Sequence, residues 1–341
     1  MPTAHRDKSF LSLGPHGFHR IAYTDWGQPN SQHVVVCVHG MTRNSRDFDD
    51  LAGQLANACR VVCMDVVGRS RSDWLEDASD YAFPVYLHDA ATLIALVSER
   101  PSQPPVMRLF NRFTRRDQPR FIDWVGTSMG GLIGMMLAAK PNSPIRRLVL
   151  NDVGPFVAWR AFADLKSMHG GRETRFRSLA DMESHLRRVC AEFGPLTDEQ
   201  WQRVTENSAE AIEDGSYILA WDPAIVSMAG RRHGVEFGSG FLYGVDLWPT
   251  WNAVRCPTLV LRGENSNLLS TATLATMQAS GSHVRVVEIP GVGHAPWLMS
   301  ADQIALVRDF LLQPEDRGQM TEHGRSARAS RARSAIRAVR P

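Results

Sequence analysis

Short β-rich runs alternating with helical periodicity constrain this chain more than any other feature. VVVCVH (Val34–His39), VVCMD (Val61–Asp65), FIDWVG (Phe121–Gly126), RLVLND (Arg147–Asp152), PTLVLRG (Pro257–Gly263) and VRVVEI (Val284–Ile289) are six such runs. Between them Phe48, Leu51 and Leu55 recur at helical spacing behind a candidate cap at Ser45. Ile304, Val307 and Leu311 do the same behind SADQ, a capping-box pattern. Alternation of this kind predicts a parallel sheet wound with crossover helices. Ahead of the first run, FLSLG and HRIAYTDWG predict an antiparallel pair at one edge.

At 341 residues and 43% apolar, the chain can bury one large core with an inserted lobe. From about Gly154 to Leu247 there are helical stretches such as LTDEQWQRVTENSAEAIED (Leu196–Asp214) but little strand pattern. That segment predicts a mainly helical lobe between the sixth and seventh core strands. It would cover the carboxyl ends of the strands, where open parallel sheets bind ligands. The expected organisation is a core over 1–153, a helical cap over 154–247, the rest of the core over 248–313, and an Arg-rich disordered tail over 314–341. A second insertion, Arg100–Arg120, holds four prolines and six arginines. It reads as a surface loop with local apolar packing, although Met107, Phe110 and Phe113 on one helix face would also suit a membrane or a partner.

Lys and Arg number 38 against 36 Asp and Glu, a balance that calls for no nucleic-acid partner for the core. The asymmetry is terminal: Arg325, Arg328, Arg331, Arg333, Arg337 and Arg340 stand in a stretch without acids, and removing those six from the net +2 leaves −4. A solvated tail is the expected state. The five cysteines, Cys37, Cys59, Cys63, Cys190 and Cys256, lack C-x-x-C pairing and read as buried thiols of a reducing compartment. The N-terminus has no apolar signal region, and no stretch approaches the roughly 18 apolar residues of a membrane span. A cytoplasmic location is expected.

VGTSMGG (Val125–Gly131) directly follows a strand-like run and opens the helix-like LIGMMLAA. G-x-S-x-G in that setting is a nucleophile elbow: its glycines permit a strained turn that lifts Ser128 Oγ clear of the backbone. The helix N-terminus behind it favours a developing anion. A serine hydroxyl needs a base. GVGHAPWL supplies His294 after the last strand, with the serine first and the histidine last in chain order. In VHGMTRN the His39-Gly40 turn can aim the Met41 N–H at the site, where it would join the Met129 N–H as an oxyanion hole.

With these residues the chain resembles the α/β-hydrolase superfamily from about Phe18 to Leu312. DVVGRSRSD (Asp65–Asp73) looks like that family's loop after its fourth strand, and VLNDVGP with RGENSNLLS is similar to a bacterial serine esterase-like subgroup. The resemblance implies an α/β fold, a mostly parallel eight-stranded sheet with a helical cap after strand six, and hydrolysis through an acyl-enzyme without a cofactor. Members of the subgroup usually read Ser-Asp where this chain has Ser266-Asn267, so the third triad member departs from the pattern. Either Asp152, at the end of the sixth strand, serves as the acid, or Asn267 orients the imidazole without charge, or the site has lost its activity. Asp152 could also simply cap a turn. Glu264 is nearby but would need a different loop path.

Carboxylic-ester hydrolysis is the expected reaction, on small or medium hydrophobic acyl or hydroxyacyl substrates. Cap residues Trp159, Trp201, Trp221, Trp248, Phe156 and Phe193 would line a pocket or form the lobe's own core. Hydrolysis of carbon–carbon bonds in ring-cleavage products is an alternative that similar folds perform, and a ligand-binding protein on a hydrolase fold is another. HEXXH and paired Cys/His spacings are absent, as are a P-loop and a GxGxxG turn, so no metal or nucleotide is expected.

Overall fold

The computed structural model describes residues 5–99, 120–159, 175–228, 244–281 and 283–314. The Arg-rich insertion, apart from Arg120, and the tail beyond residue 314 lie outside the described residues. In chain order the strands are β1 (Arg6–Gly14), β2 (Gly17–Trp26), β3 (His33–Val38), β4 (Arg60–Met64), β5 (Phe121–Thr127), β6 (Ile145–Asn151), β7 (Phe156–Ala158), β8 (Arg175–Phe176), β9 (Ala209–Ala211), β10 (Tyr217–Leu219), β11 (Gly244–Asp246), β12 (Thr258–Gly263) and β13 (Val284–Ile289). Eight of them make one sheet in the order β1-β2-β4-β3-β5-β6-β12-β13. β1 and β2 are the antiparallel edge pair, and β2 meets β4 antiparallel; the ladders from β4 to β13 are parallel.

Side chains alternate across the sheet and bury both faces. Val34, Val36 and Val38 of β3 join a core that includes residues of α2 (Phe83–Ser98) and α3 (Met129–Ala138). Val35 and Cys37 face the other way, into a core with α1 (Asp49–Leu55) and the final helix, α9 (Ala301–Leu312). Two of the expected caps are made differently. The turn before α1 is a 3-10 segment, Ser45–Phe48, and Asn44, not Ser45, caps it by accepting from Arg46 N–H. Ser300 occupies the cap position of α9 without a side-chain capping bond, and Gln303 Oε1, which would supply the other half of the box, instead accepts from Leu298 N–H at 2.8 Å.

Between β6 and β12 lies the cap, with helices α4 (Leu179–Val189), α5 (Asp198–Ser208), α6 (Ala224–Met228) and α7 (Trp248–Trp251); α8 (Thr271–Ala279) follows β12. The segment is less purely helical than its sequence suggests. It also holds a three-stranded sheet, β8-β10-β9, and the pair β11-β7. The helix expected through Asp214 stops at Ser208, where Ala209–Ala211 pair with β10. Its start follows local rule: Thr197 and Gln200 form a reciprocal capping box.

Phe176, Met182, Leu186, Cys190, Trp201 and Val204 form the cap's own core, and Trp297 and Met299 from the loop after β13 complete it. All five cysteines are free, four of them buried. Among the described residues no helix is long and apolar enough to cross a membrane.

Candidate active site

β5 passes into α3 through Ser128, whose backbone is held at φ 51°, ψ −115°, outside the usual regions for a side-chain-bearing residue. So tight a turn leaves no room for side chains around it. A Cβ at Gly126 would fall 2.3 Å from Gly130 O, and one at Gly130 would fall 2.0 Å from Val38 O. The fully buried Trp124 braces the same turn by donating from Nε1 to Gly130 O at 3.0 Å. Ser128 N–H donates to Asn151 O, which ties the elbow to the end of β6.

His294 arrives on the loop after β13. Its Nε2 lies 2.9 Å from Ser128 Oγ, and its Nδ1 lies 2.6 Å from Asp152 Oδ2. A carboxylate oxygen accepts, so Nδ1 carries the proton and Nε2 is left to accept from the serine hydroxyl. The loop is anchored from both sides. Asn151 Nδ2 donates to Pro296 O at 2.8 Å and to Thr127 Oγ1 at 3.0 Å, while Gly293 N–H donates to Glu192 O of the cap.

Asp152 is completely buried and follows the last residue of β6 with φ 56°, a conformation aspartate tolerates better than most residues. Sheet register explains its reach. β6 and β12 pair through Asn151 and Leu261; Asp152 N–H donates to Leu261 O at 2.8 Å, and Asp152 Oδ1 then accepts from Gly263 N–H at 2.8 Å. The side chain thus continues the ladder one step past the strand's end, and its second oxygen meets the imidazole. Ser266 Oγ donates to that same oxygen at 2.6 Å.

Asn267, weighed above as an uncharged orienter, has an exposed side chain, and the imidazole nitrogen it would have served is taken by Asp152. That reading is corrected: the chain turns at Ser266, which points inward while its neighbour faces solvent. Glu264 is likewise elsewhere, accepting from Gly291 N–H at 2.7 Å.

Met129 directly follows Ser128, and Met41 follows Gly40. Met129 opens α3, so its N–H has no intrahelical acceptor. Gly40 packs on the elbow, where a Cβ would stand 3.7 Å from Ser128 Cβ. The buried His39 fixes the turn leading to Met41: its Nδ1 donates to Gly40 O at 2.6 Å and its Nε2 accepts from Val66 N–H at 3.0 Å. That pattern requires the neutral ring, and burial pushes the His39 pKa down to about 3.

Of the aromatic residues expected over the site, Trp201 is buried in the cap's core, and Phe193 and Trp221 line a shallow pocket beside Thr42 and Arg43. Trp159 and Trp248 pack against the main core. Among the described residues no group of three or more His, Cys, Asp or Glu side chains could hold a metal ion.

The sequence reasoning missed Ser266, Asn151 and Arg69. Ser266 enters the sequence reading only as half of a Ser-Asn pair, and Asn151 and Arg69 only within the quoted VLNDVGP and DVVGRSRSD, with no role of their own.

Residues 35–307 match the model of the alpha/beta hydrolase family. The 3-hydroxybutyrate-oligomer hydrolase of Cupriavidus necator is 39% identical over 301 residues, which span 87% of this chain and 94% of that protein. Among solved structures, a hydrolase candidate from Rickettsia typhi superposes with a TM-score of 0.76 at 26% identity, covering 92% of this chain and 100% of its own. An alpha/beta hydrolase from Novosphingobium aromaticivorans gives 0.73 at 29% identity, covering 91% and 98%.

Proposed function

The chain belongs to the alpha/beta hydrolase family, and from that premise we propose that it is a serine-dependent carboxylic-ester hydrolase acting on hydroxyacyl oligomers and other small or medium hydrophobic esters. The observation that carries this reading is the continuous line from Ser128 Oγ through His294 to the buried Asp152, at 2.9 Å and 2.6 Å. The substrate class is supported by the 39% identity, over nearly the full length of both chains, to a 3-hydroxybutyrate-oligomer hydrolase.

In the proposed reaction His294 Nε2 accepts the hydroxyl proton as Ser128 Oγ attacks the ester carbonyl. Asp152 holds the Nδ1–H and stabilises the imidazolium, and the carbonyl oxygen gains its charge against the Met41 and Met129 N–H groups. The tetrahedral species collapses as His294 protonates the leaving alcohol. Water, activated by the same imidazole, then releases the acid from Ser128. The cap over 154–247 is proposed to shield these steps from bulk water.

The test is turnover of 3-hydroxybutyrate dimer and trimer and of p-nitrophenyl butyrate by the wild type and by Ser128→Ala. The reading expects free 3-hydroxybutyrate from the wild type and none above background from the variant. Equal turnover by both would refute it.

A further inference from the structure

The loop after β4 carries a buried cation. Arg69 is completely buried, and among the described residues no carboxylate pairs with it. Its guanidinium is instead divided among weaker acceptors. Nε donates to Met41 O at 2.9 Å, Nη1 to Val67 O at 2.6 Å, and Nη2 reaches Met129 Sδ at 3.5 Å. The group also lies over the ring of Tyr86, 5.0 Å from its centroid, and 5.9 Å from that of Tyr81.

A buried charge without an ionised partner is unfavourable, and an apolar residue of similar size would pack there at less cost. The acceptors indicate what the cation does. Two of these acceptors, the Met41 carbonyl and the Met129 thioether, belong to the residues whose N–H groups receive the oxyanion in the reaction proposed above. We propose that Arg69 is a positioning residue of the oxyanion hole: it ties the Met41 backbone carbonyl to the Met129 side chain, and its charge finds its balance in the oxyanion as that forms. This inference rests on the proposed ester hydrolysis and deepens it.

The cap holds the arginine's own loop in place. Ser70 N–H donates to Ala220 O at 2.6 Å, and Asp222 N–H donates to Gly68 O at 2.9 Å, so Arg69 faces Trp221 across a short antiparallel bridge. Tyr81 Oη donates to Asp222 Oδ2 at 2.7 Å and closes the clamp. With all three guanidinium nitrogens turned toward protein acceptors and no exposed surface, direct contact with substrate is disfavoured. Arg69 acts through Met41 and Met129.

The test compares wild type, Arg69→Met and Arg69→Lys by kcat and KM on p-nitrophenyl butyrate, by inhibition with butaneboronic acid, and by thermal melting. The boronate forms a tetrahedral adduct on the serine and places an oxygen in the hole, whereas butyrate, measured beside it, reports ground-state binding alone. Arg69→Met is expected to lower kcat by about 100-fold, the scale of losing one oxyanion donor, to weaken boronate by a similar factor, and to leave KM and butyrate binding within about threefold. Arg69→Lys keeps the charge but cannot span three acceptors, and is expected to weaken boronate by about tenfold; it carries the test if the methionine variant does not fold. A fall in melting temperature with kcat and boronate affinity unchanged would overturn the proposal in favour of a purely structural role, and a rise in KM at constant kcat would overturn it in favour of substrate contact. Wild-type protein that neither cleaves the ester nor binds boronate would instead overturn the underlying reading, and this one with it.

Discussion

Ser266 donates its hydroxyl to Asp152 at 2.6 Å, on the same carboxylate oxygen that meets the His294 imidazole. Asp152, immediately past the end of strand β6, is thus held by a hydroxyl from the loop after β12, on the oxygen that faces the imidazole. Asn267 stands next to that hydroxyl and faces away.

Asp152→Asn is expected to lower kcat on p-nitrophenyl butyrate by on the order of 10⁴, because the amide can present the wrong hydrogen to Nδ1 and cannot balance the imidazolium. Asn267→Asp, on an exposed side chain, is expected to change kcat by no more than about threefold. Steady-state kinetics of the two variants side by side check both statements. A large gain in Asn267→Asp would move the acid to the loop.

Ser266→Ala removes one donor from a carboxylate that has no exposure to recruit water in its place. A hydrogen bond to a charged group contributes roughly 1.5–3 kcal/mol, so a loss of about tenfold or more in kcat is expected, with KM nearly constant. Ser266→Thr, which keeps the hydroxyl, should recover most of it. Failure of the threonine to do better than the alanine would argue against the hydrogen bond as the cause.

Trp124→Phe should destabilise the fold by about 1–3 kcal/mol, since Gly130 O loses its indole donor and a smaller ring leaves space in a fully buried position. Equilibrium unfolding in urea measures this as a lower midpoint at unchanged slope. Gly130→Ala should fare worse, because its Cβ would meet the Val38 carbonyl at 2.0 Å.

His39 gives stability a pH dependence of defined sign. In the folded protein it stays neutral down to a pKa of about 3, whereas in the unfolded chain it takes a proton near pH 6.5. The unfolded state binds more protons between those values, so stability falls as pH is lowered through that window, by at most about 1.4 kcal/mol per pH unit from this residue. His39→Gln cannot titrate. The difference in unfolding free energy between wild type and His39→Gln should shrink from pH 7 to pH 5, and parallel pH profiles would contradict the assignment.

Much of the architecture was legible because strands and helices have different periods. Val34 to Val38 alternate across the sheet as the run predicts, and the elbow around Ser128 is a local consequence of glycines at 126 and 130. Short-range signals were less dependable where tertiary partners compete. In SADQ the Ser300 side chain makes no capping bond and Gln303 is drawn to Leu298 N–H, and the helix expected past Ser208 gives way to a strand that β10 recruits. A single strand of three residues, such as Ala209–Ala211, has no period to read.

By itself the sequence determined the kind of sheet, the strained serine and the order of serine before histidine, because these follow from patterns within a few residues of each other. It left the acid open between Asp152 and Asn267. Only the tertiary structure brought Asp152 to the imidazole, through a parallel register between two strands more than 100 residues apart that sets Gly263 N–H against Asp152 Oδ1 and turns the other oxygen toward His294. It also decided that a buried arginine would grip both Met41 and Met129. Hydrogen bonds between distant segments depend on register and loop path, and neither is written in the spacing of residues along one chain.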